Sequence, residues 1–199
     1  MIVFVADAFK EDYPGGAELT TEALIDANLL PARKIYSRDL TYQQIEAYKG
    51  YHWVFGNFSE VNDLLLLECI KELSYSVLEY DYKFCNYRSV EKHTKAEGEC
   101  TCAGSVRGKT VAVFLARAKN LWWMSEKQLY CKVYPFLDHS NSRVLSSIFA
   151  PVTLQLIDFL RGEKKKREDK WIILNSGSWI KGADAAVEYA KENNLNYEL

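Results

Sequence analysis

The sequence predicts an α/β fold: a Rossmann-like parallel sheet with helices on both faces. Three observations predict it. Short, continuous apolar runs (MIVFVA, HWVF, SYSVLEY) have the length and composition of strands buried on both sides. Segments with helical spacing separate them, so strand and helix alternate as a parallel sheet requires. The first apolar run ends in a glycine pair, Gly15-Gly16, that opens a helix, placing a ligand-sized turn where open α/β sheets bind their ligands.

In chain order, Ile2 to Ala6 reads as a buried strand and Glu18 to Leu30 as the first helix. Ala32 to Tyr36 is a second strand, and Thr41 is the N-cap of a helix reaching Tyr48. His52 to Phe55 is a third strand, ending in Gly56-Asn57-Phe58-Ser59. Ser59 is expected to cap a helix from Glu60 to Leu73, with Leu64, Leu65, Leu67, Cys69 and Ile70 on its apolar face. Tyr75 to Tyr80 is a fourth strand. Asp81 to Lys109 has no convincing periodicity, and a loop of that length inside a domain is usually functional or held by something other than a core.

Regularity returns with a helix over Val111 to Lys119 and a buried strand over Leu121 to Met124. Ser125 caps a helix running through Gln128 to Tyr134, where Pro135 closes it. Arg143 to Ser147 is a strand, and Pro151 sits in the first turn of a helix that runs to Gly162. A C-terminal strand–turn–helix tail follows: strand Lys170 to Asn175, turn GSWIKG, helix Ala183 to Asn193 and a last strand from Tyr197 to Leu199.

The chain has 199 residues, 48% of them hydrophobic and 14% aromatic, enough for a well-buried core. Its net charge of −2 disfavours a nucleic-acid partner. The basic run Lys164 to Arg167, flanked by Glu163 and Glu168, reads as a solvated helix end. No apolar stretch is long enough for a transmembrane helix. The N-terminus enters a strand directly, without the marks of a leader, so a cytoplasmic protein with reduced or metal-bound cysteines is expected.

Three thiols and an imidazole, Cys85, His93, Cys100 and Cys102, fall within the aperiodic stretch. Tetrahedral zinc takes Cys₃His ligand sets, and its binding free energy would fold a loop without a core of its own. The set is therefore a candidate structural zinc site, with Cys131 as an alternative fourth ligand. Buried free thiols and an oxidative disulfide are the other readings. Cys69, on the apolar face of a helix, is assigned to the core.

Several short patterns line up in order: PGGAE after the first strand, GNF after the third, YDYKFC after the fourth, then WMSEKQ, VLSSIF, GSWIKG and AAVEYAKENN. Together they resemble the retaining, nucleotide-sugar-dependent glycosyltransferases of family 4, which have the GT-B fold. There, two Rossmann-like domains face each other across a cleft. The resemblance implies that residues 1–170 are the N-terminal, acceptor-side domain and that residues 171–199 start the second, donor-side domain, docked on the first.

The resemblance also implies the partners: a nucleotide sugar and a carbohydrate or lipid-linked acceptor, with no cofactor required for catalysis. The family's acidic donor-binding motif belongs to the rest of the second domain. This chain by itself is therefore expected to be inactive, its partner being that missing domain or a second copy of itself. Where many members carry His-Asp-Tyr this chain has Tyr80, Asp81 and Tyr82, and a phenol with a pKa near ~10 cannot serve as an imidazole would.

The resemblance places Gly15, Gly16 and Glu18 against the acceptor or the donor phosphates. It places Asn57, Tyr80, Asp81 and Lys83 at the cleft edge. Asn57 can both donate to and accept from sugar hydroxyls. Rings beside charges suit a sugar's two kinds of surface. On the local reading, Asp7 braces its loop, Glu18 favours the helix N-terminus, and Asp81 and Lys83 pair with each other or with Arg88. Ser125 is a weaker ligand candidate near the same cleft. Lys181, before Gly182, matches the family's donor-diphosphate contact, while Ser176 and Ser178 stand where an arginine is usual. The other function class is a non-catalytic Rossmann-like module that binds a carbohydrate or a protein.

Overall fold

The computed structural model describes residues 1–130, 137–162, 169–175 and 181–199. It forms two compact units, Met1–Leu154 and Gln155–Leu199.

The first unit is built on β1 (Ile2–Ala6), β2 (Ala32–Tyr36), β3 (His52–Phe55), β4 (Ser74–Glu79), β5 (Leu121–Trp123) and β6 (Ser142–Val144). They form one six-stranded sheet in the order β2-β1-β3-β4-β5-β6, every neighbouring pair parallel. The connecting helices are α1 (Gly16–Ala27), α2 (Tyr42–Tyr48), α3 (Asp63–Glu72), α4 (Val90–Glu97), α5 (Val106–Arg117) and α6 (Glu126–Tyr130).

Side chains alternate across each strand, so the sheet sends two apolar sets to opposite faces. Val3, Val5, Trp53, Phe55, Tyr75, Val77, Leu121 and Trp123 pack with Ile45 of α2, Leu65, Leu66 and Cys69 of α3, and Val111, Phe114 and Leu115 of α5. Phe4, Ala6, Val54 and Leu78 form the other set, with Leu24 and Ile25 of α1 against them. The first face carries an aromatic knot: the Phe114 ring stacks on Tyr75 with centroids 4.5 Å apart and meets Phe55 edge-on at 5.0 Å. The sheet and its flanking helices are those of the α/β fold expected.

Thr41 caps α2 in a full capping box with Gln44. α3 departs from expectation. Its cap is Asn62, whose Oδ1 accepts from the Leu65 N–H at 2.9 Å, because Ser59 is held elsewhere. With that start the buried stripe is Leu65, Leu66 and Cys69. Leu64 and Leu67, expected inside, are 68% and 48% exposed. Burial pushes the Cys69 thiol up to about 12, as suits a core residue.

α1 begins at Gly16 rather than Glu18 and ends at Ala27. α5 begins at Val106, five residues earlier than the apolar pattern suggests, with Ser105 Oγ accepting from the Gly108 N–H at 3.0 Å. The stretch before it holds α4, capped by Ser89, with His93 its single buried residue. A helix so polar leaves no apolar periodicity to read. β6 spans Ser142–Val144, shorter than the expected Arg143 to Ser147 and shifted by one residue at its start. Cys131, Pro135, Lys164 to Arg167, Ser176 and Ser178 lie outside the described residues.

α7 (Pro151–Gly162) carries Pro151 in its first turn and buries none of its residues. In the second unit, β7 (Trp171–Ile172), α8 (Ala183–Glu192) and β8 (Tyr197–Glu198) form a small βαβ element. Trp171 pairs with Tyr197, and Ile172 with Glu198, in parallel register.

Candidate functional site

All six strands of the main sheet are parallel, so the loops leaving their C-terminal ends share one edge. The strand order reverses at β1, with β2 on one side and β3 on the other. Sheets of this kind bind ligands at that reversal. Asp7 follows β1, Ser37 follows β2, Asn57 follows β3, and Tyr80 and Asp81 follow β4.

Asp7 is a brace. Its carboxylate accepts from Ser37 Oγ, from Ser59 Oγ at 2.6 Å and from the Ser59 N–H at 3.2 Å, and Arg88 Nη1 lies 3.7 Å away. Burial by itself would raise its pKa. The Ser37 and Ser59 hydrogen bonds and the Arg88 charge outweigh that and hold it below the ordinary carboxylate value. Ser59 is thereby taken from the capping role expected of it.

Arg88 ties the next two strand ends together. Its Nη2 lies 2.6 Å from Asp81 Oδ2 and donates to Asn57 Oδ1 at 2.9 Å. The Lys83 amine, fully buried, also pairs with Asp81. The Lys83 N–H donates to Oε1 of Glu79, a carboxylate buried at the end of β4, at 3.1 Å. The charges after β4 thus satisfy one another, as the local reading of Asp81, Lys83 and Arg88 expects.

Gly15 is the N-cap of α1 and Gly16 its first residue, with no side-chain cap. A Cβ on Gly15 would stand 2.4 Å from Glu18 Oε2 and 2.5 Å from the Tyr13 ring, whereas one on Gly16 would meet open space. Glu18 therefore folds over the glycine turn. Tyr80 is partly buried against α1, its phenol 2.8 Å from Thr21 Oγ1. Burial, and secondarily the Glu18 charge, push that phenol's pKa up, against the opposing Thr21 hydrogen bond. The edge thus gathers Asn57 and Asp81 around Arg88, with Lys83 paired to Asp81, while Tyr80 is a packing and hydrogen-bonding link to α1. Ser125 caps α6 by accepting from the Gln128 N–H at 3.1 Å. Lys181, in the second unit, is exposed beside an open apolar depression of about 320 Å³, and Gly182 after it has φ 79°.

The four predicted metal ligands do come together. The ligand atoms of Cys85, His93, Cys100 and Cys102 all lie within 4.8 Å of one another, with three of the four residues buried. His93 Nδ1 is 3.4 Å from both Cys85 Sγ and Cys102 Sγ, and Cys100 Sγ is 3.8 Å from Cys85 Sγ. A tetrahedral zinc with ordinary bond lengths spaces sulfurs by about 3.8 Å and sulfur from nitrogen by about 3.6 Å. The three shortest of these separations match that spacing, so the group could bind a metal ion, with its widest pair drawing closer than 4.8 Å. The sulfur separation is far too long for a disulfide, and Cys85, Cys100 and Cys102 are free thiols.

No protein-family model matches the chain, and no curated protein or solved structure matches it. The site's chemistry is therefore argued from its own atoms.

The groups around this candidate metal site suit it. His93 Nε2 lies 2.9 Å from Glu97 Oε2, and Tyr87 donates to Glu97 Oε1 at 2.7 Å. With its proton on Nε2, His93 presents Nδ1 as the ligating lone pair, and the carboxylate fixes that tautomer. Burial, and secondarily the neighbouring Cys85 and Cys102 thiols, push Cys100 up to about 11, against the opposing backbone hydrogen bond from Cys102. A cation among the thiols would reverse that preference.

Several contributors escaped the sequence reading. Gly108 lies inside α5, where a Cβ would fall 2.1 Å from the Cys102 carbonyl oxygen. Only glycine lets the Cys102–Gly104 turn lie against the helix. It gave no signal, because the helix was expected only from Val111 and Gly108 fell in the stretch read as aperiodic. Glu97, one turn beyond His93, was visible as an i, i+4 pair once α4 was placed. Arg88 was seen only as a pairing partner, and Glu79 gave no signal because it sits at the end of an apolar strand.

Proposed function

We propose that residues 1–170 form the acceptor-side domain of a retaining, nucleotide-sugar-dependent glycosyltransferase, and that residues 171–199 open its donor-side domain. One observation carries the reading. Residues from three separate motifs, the glycine turn with Glu18, Asn57, and Asp81 with Lys83, sit after β1, β3 and β4 on the one sheet edge where the strand order reverses.

The edge serves to hold an acceptor. Asn57 Oδ1 is occupied by Arg88, which orients its amide nitrogen as a donor for a sugar oxygen. Asp7 and Asp81 are engaged by neighbouring donors, so neither stands free as a general base. In such a transferase the departing diphosphate is stabilised from the donor side, where Lys181 is the candidate contact. The internal pairing also favours a second reading, a carbohydrate- or protein-binding module without catalysis.

The Cys₃His group is read as a structural zinc site. Bound zinc would supply folding free energy to residues 85–102 and no chemistry to the transfer.

Titration of ¹⁵N-labelled protein with a panel of free sugars and nucleotide sugars tests the reading. It predicts shifted amides at Gly15, Gly16, Asn57 and Asp81. Absence of any shift there at millimolar sugar contradicts it. A protein that binds sugar but transfers none when joined to a complete donor domain supports the binding module instead.

A further inference from the structure

Arg88 stands in the chain between two of the metal ligands, three residues after Cys85 and one before Ser89, the cap of the helix that carries His93. Its backbone is fixed inside that loop. The Arg88 N–H donates to the Cys85 carbonyl at 2.8 Å, and its own carbonyl accepts from the Tyr82 N–H at 3.3 Å. Its φ is 55°, in the left-handed region that a non-glycine residue rarely adopts. Such a conformation persists only where its surroundings impose it.

From that backbone position the guanidinium reaches the ends of three strands: Asp7 after β1, Asn57 after β3 and Asp81 after β4. These span the strand-order reversal. We propose that the metal centre sets the geometry of the ligand edge through Arg88, a positioning residue. Metal held by Cys85, His93, Cys100 and Cys102 fixes the 85–93 segment. That segment holds Arg88 in its left-handed conformation, and Arg88 orients the Asn57 amide and pairs with Asp7 and Asp81. Loss of the metal leaves strand pairing intact but releases the edge. The coupling rests on the zinc and edge readings above, but it concerns the protein's own atoms and is tested without sugar.

The test compares three samples of the whole chain: zinc-loaded wild type, wild type stripped with a chelator, and zinc-loaded Arg88→Ala. The readouts are the Asn57 side-chain NH₂ resonances and hydrogen exchange of the Ser59 and Glu60 amides, which donate to Asp7. Stripping is expected to shift the Asn57 signals and speed Ser59 exchange by about tenfold or more, with the β1 and β3 amides unchanged. Arg88→Ala is expected to give the same changes at Asn57 and Ser59 while retaining one zinc. Arg88→Lys, which cannot bridge Asn57 and Asp81 with a planar fork, is expected to leave Asn57 shifted.

Changes confined to residues 82–102 on stripping would reduce the metal to a local staple and overturn the proposal. A chain that binds no zinc overturns it as well. If stripping unfolds the chain, the zinc-loaded variant decides, and an unperturbed Asn57 in Arg88→Ala sinks the idea. A protein that passes these tests yet binds no sugar removes the functional reading and leaves the coupling standing.

Discussion

His93 Nε2 lies 2.9 Å from Glu97 Oε2, one helical turn further along α4, while Nδ1 of the same ring points at two cysteine sulfurs 3.4 Å away. A carboxylate behind an imidazole whose far nitrogen faces thiols is the arrangement that orients a metal-bound histidine. Glu97→Gln is accordingly expected to weaken zinc binding by about 10- to 100-fold without removing a ligand. Competition with a chromogenic chelator measures it. Affinity equal to wild type would make the pair an ordinary surface contact.

Gly108→Ala tests the other support of the site. The added Cβ would meet main-chain atoms, the Cys102 carbonyl and Ala103, which cannot rotate aside. The turn bearing Cys102 must move, at a cost of about 1–3 kcal/mol typical of overpacking. Chemical denaturation should register that loss, and zinc affinity should fall with it. Gly104→Ala, whose Cβ would have open space, is the matched control and is expected to retain both.

The glycine pair is expected to divide. Gly16→Ala places a methyl in open space at the first position of α1 and should stabilise the fold by about 0.4–1 kcal/mol through the unfolded chain. Gly15→Ala must displace Glu18 and Tyr13 and so should show altered Glu18 side-chain resonances. Thermal melts of the two variants, with NMR of the second, check both expectations. A Gly16→Ala variant that is destabilised would contradict the geometry of the turn.

Asp7 gives a pH signature. Its folded pKa lies below the ordinary value of 3.8, so the folded state favours its charged form. The stability it contributes is fully present above that value and is lost as pH falls through the lower, folded pKa. Asp7→Asn should cost about 1–3 kcal/mol at neutral pH. The gap between variant and wild type should close as the medium is acidified below about pH 4. Urea titrations across pH measure the gap, and one that does not vary with pH would show that the carboxylate charge is not what braces the edge.

The parallel sheet was legible because its strands are continuous apolar runs alternating with helices, while the strand order β2-β1-β3-β4-β5-β6 came only with the structure. The convergence of Cys85, His93, Cys100 and Cys102 was legible as a candidate ligand set because three thiols and an imidazole fall close together in the chain, but their packing against the main core, with Phe84, Cys85 and Cys102 buried in it, was not. The polar framework was not legible. α4 buries one residue and carries no periodic signal, Ser59 was diverted from its helix by Asp7, and the role of Arg88 depends on a φ of 55° that no residue type announces. Leu64 and Leu67 were misplaced because a run of four leucines offers no phase until the cap, Asn62, fixes the helix start.

The measurement that bears most directly on the metal centre is zinc content, by elemental analysis, of protein purified without chelator, repeated on Cys100→Ser. One zinc per chain in the wild type, with cobalt substitution giving the spectrum of a tetrahedral three-sulfur, one-nitrogen site, is the predicted result. The Cys100→Ser variant is predicted to bind zinc more weakly. A wild-type chain without zinc that refuses cobalt would contradict the centre, and with it the control of the ligand edge through Arg88.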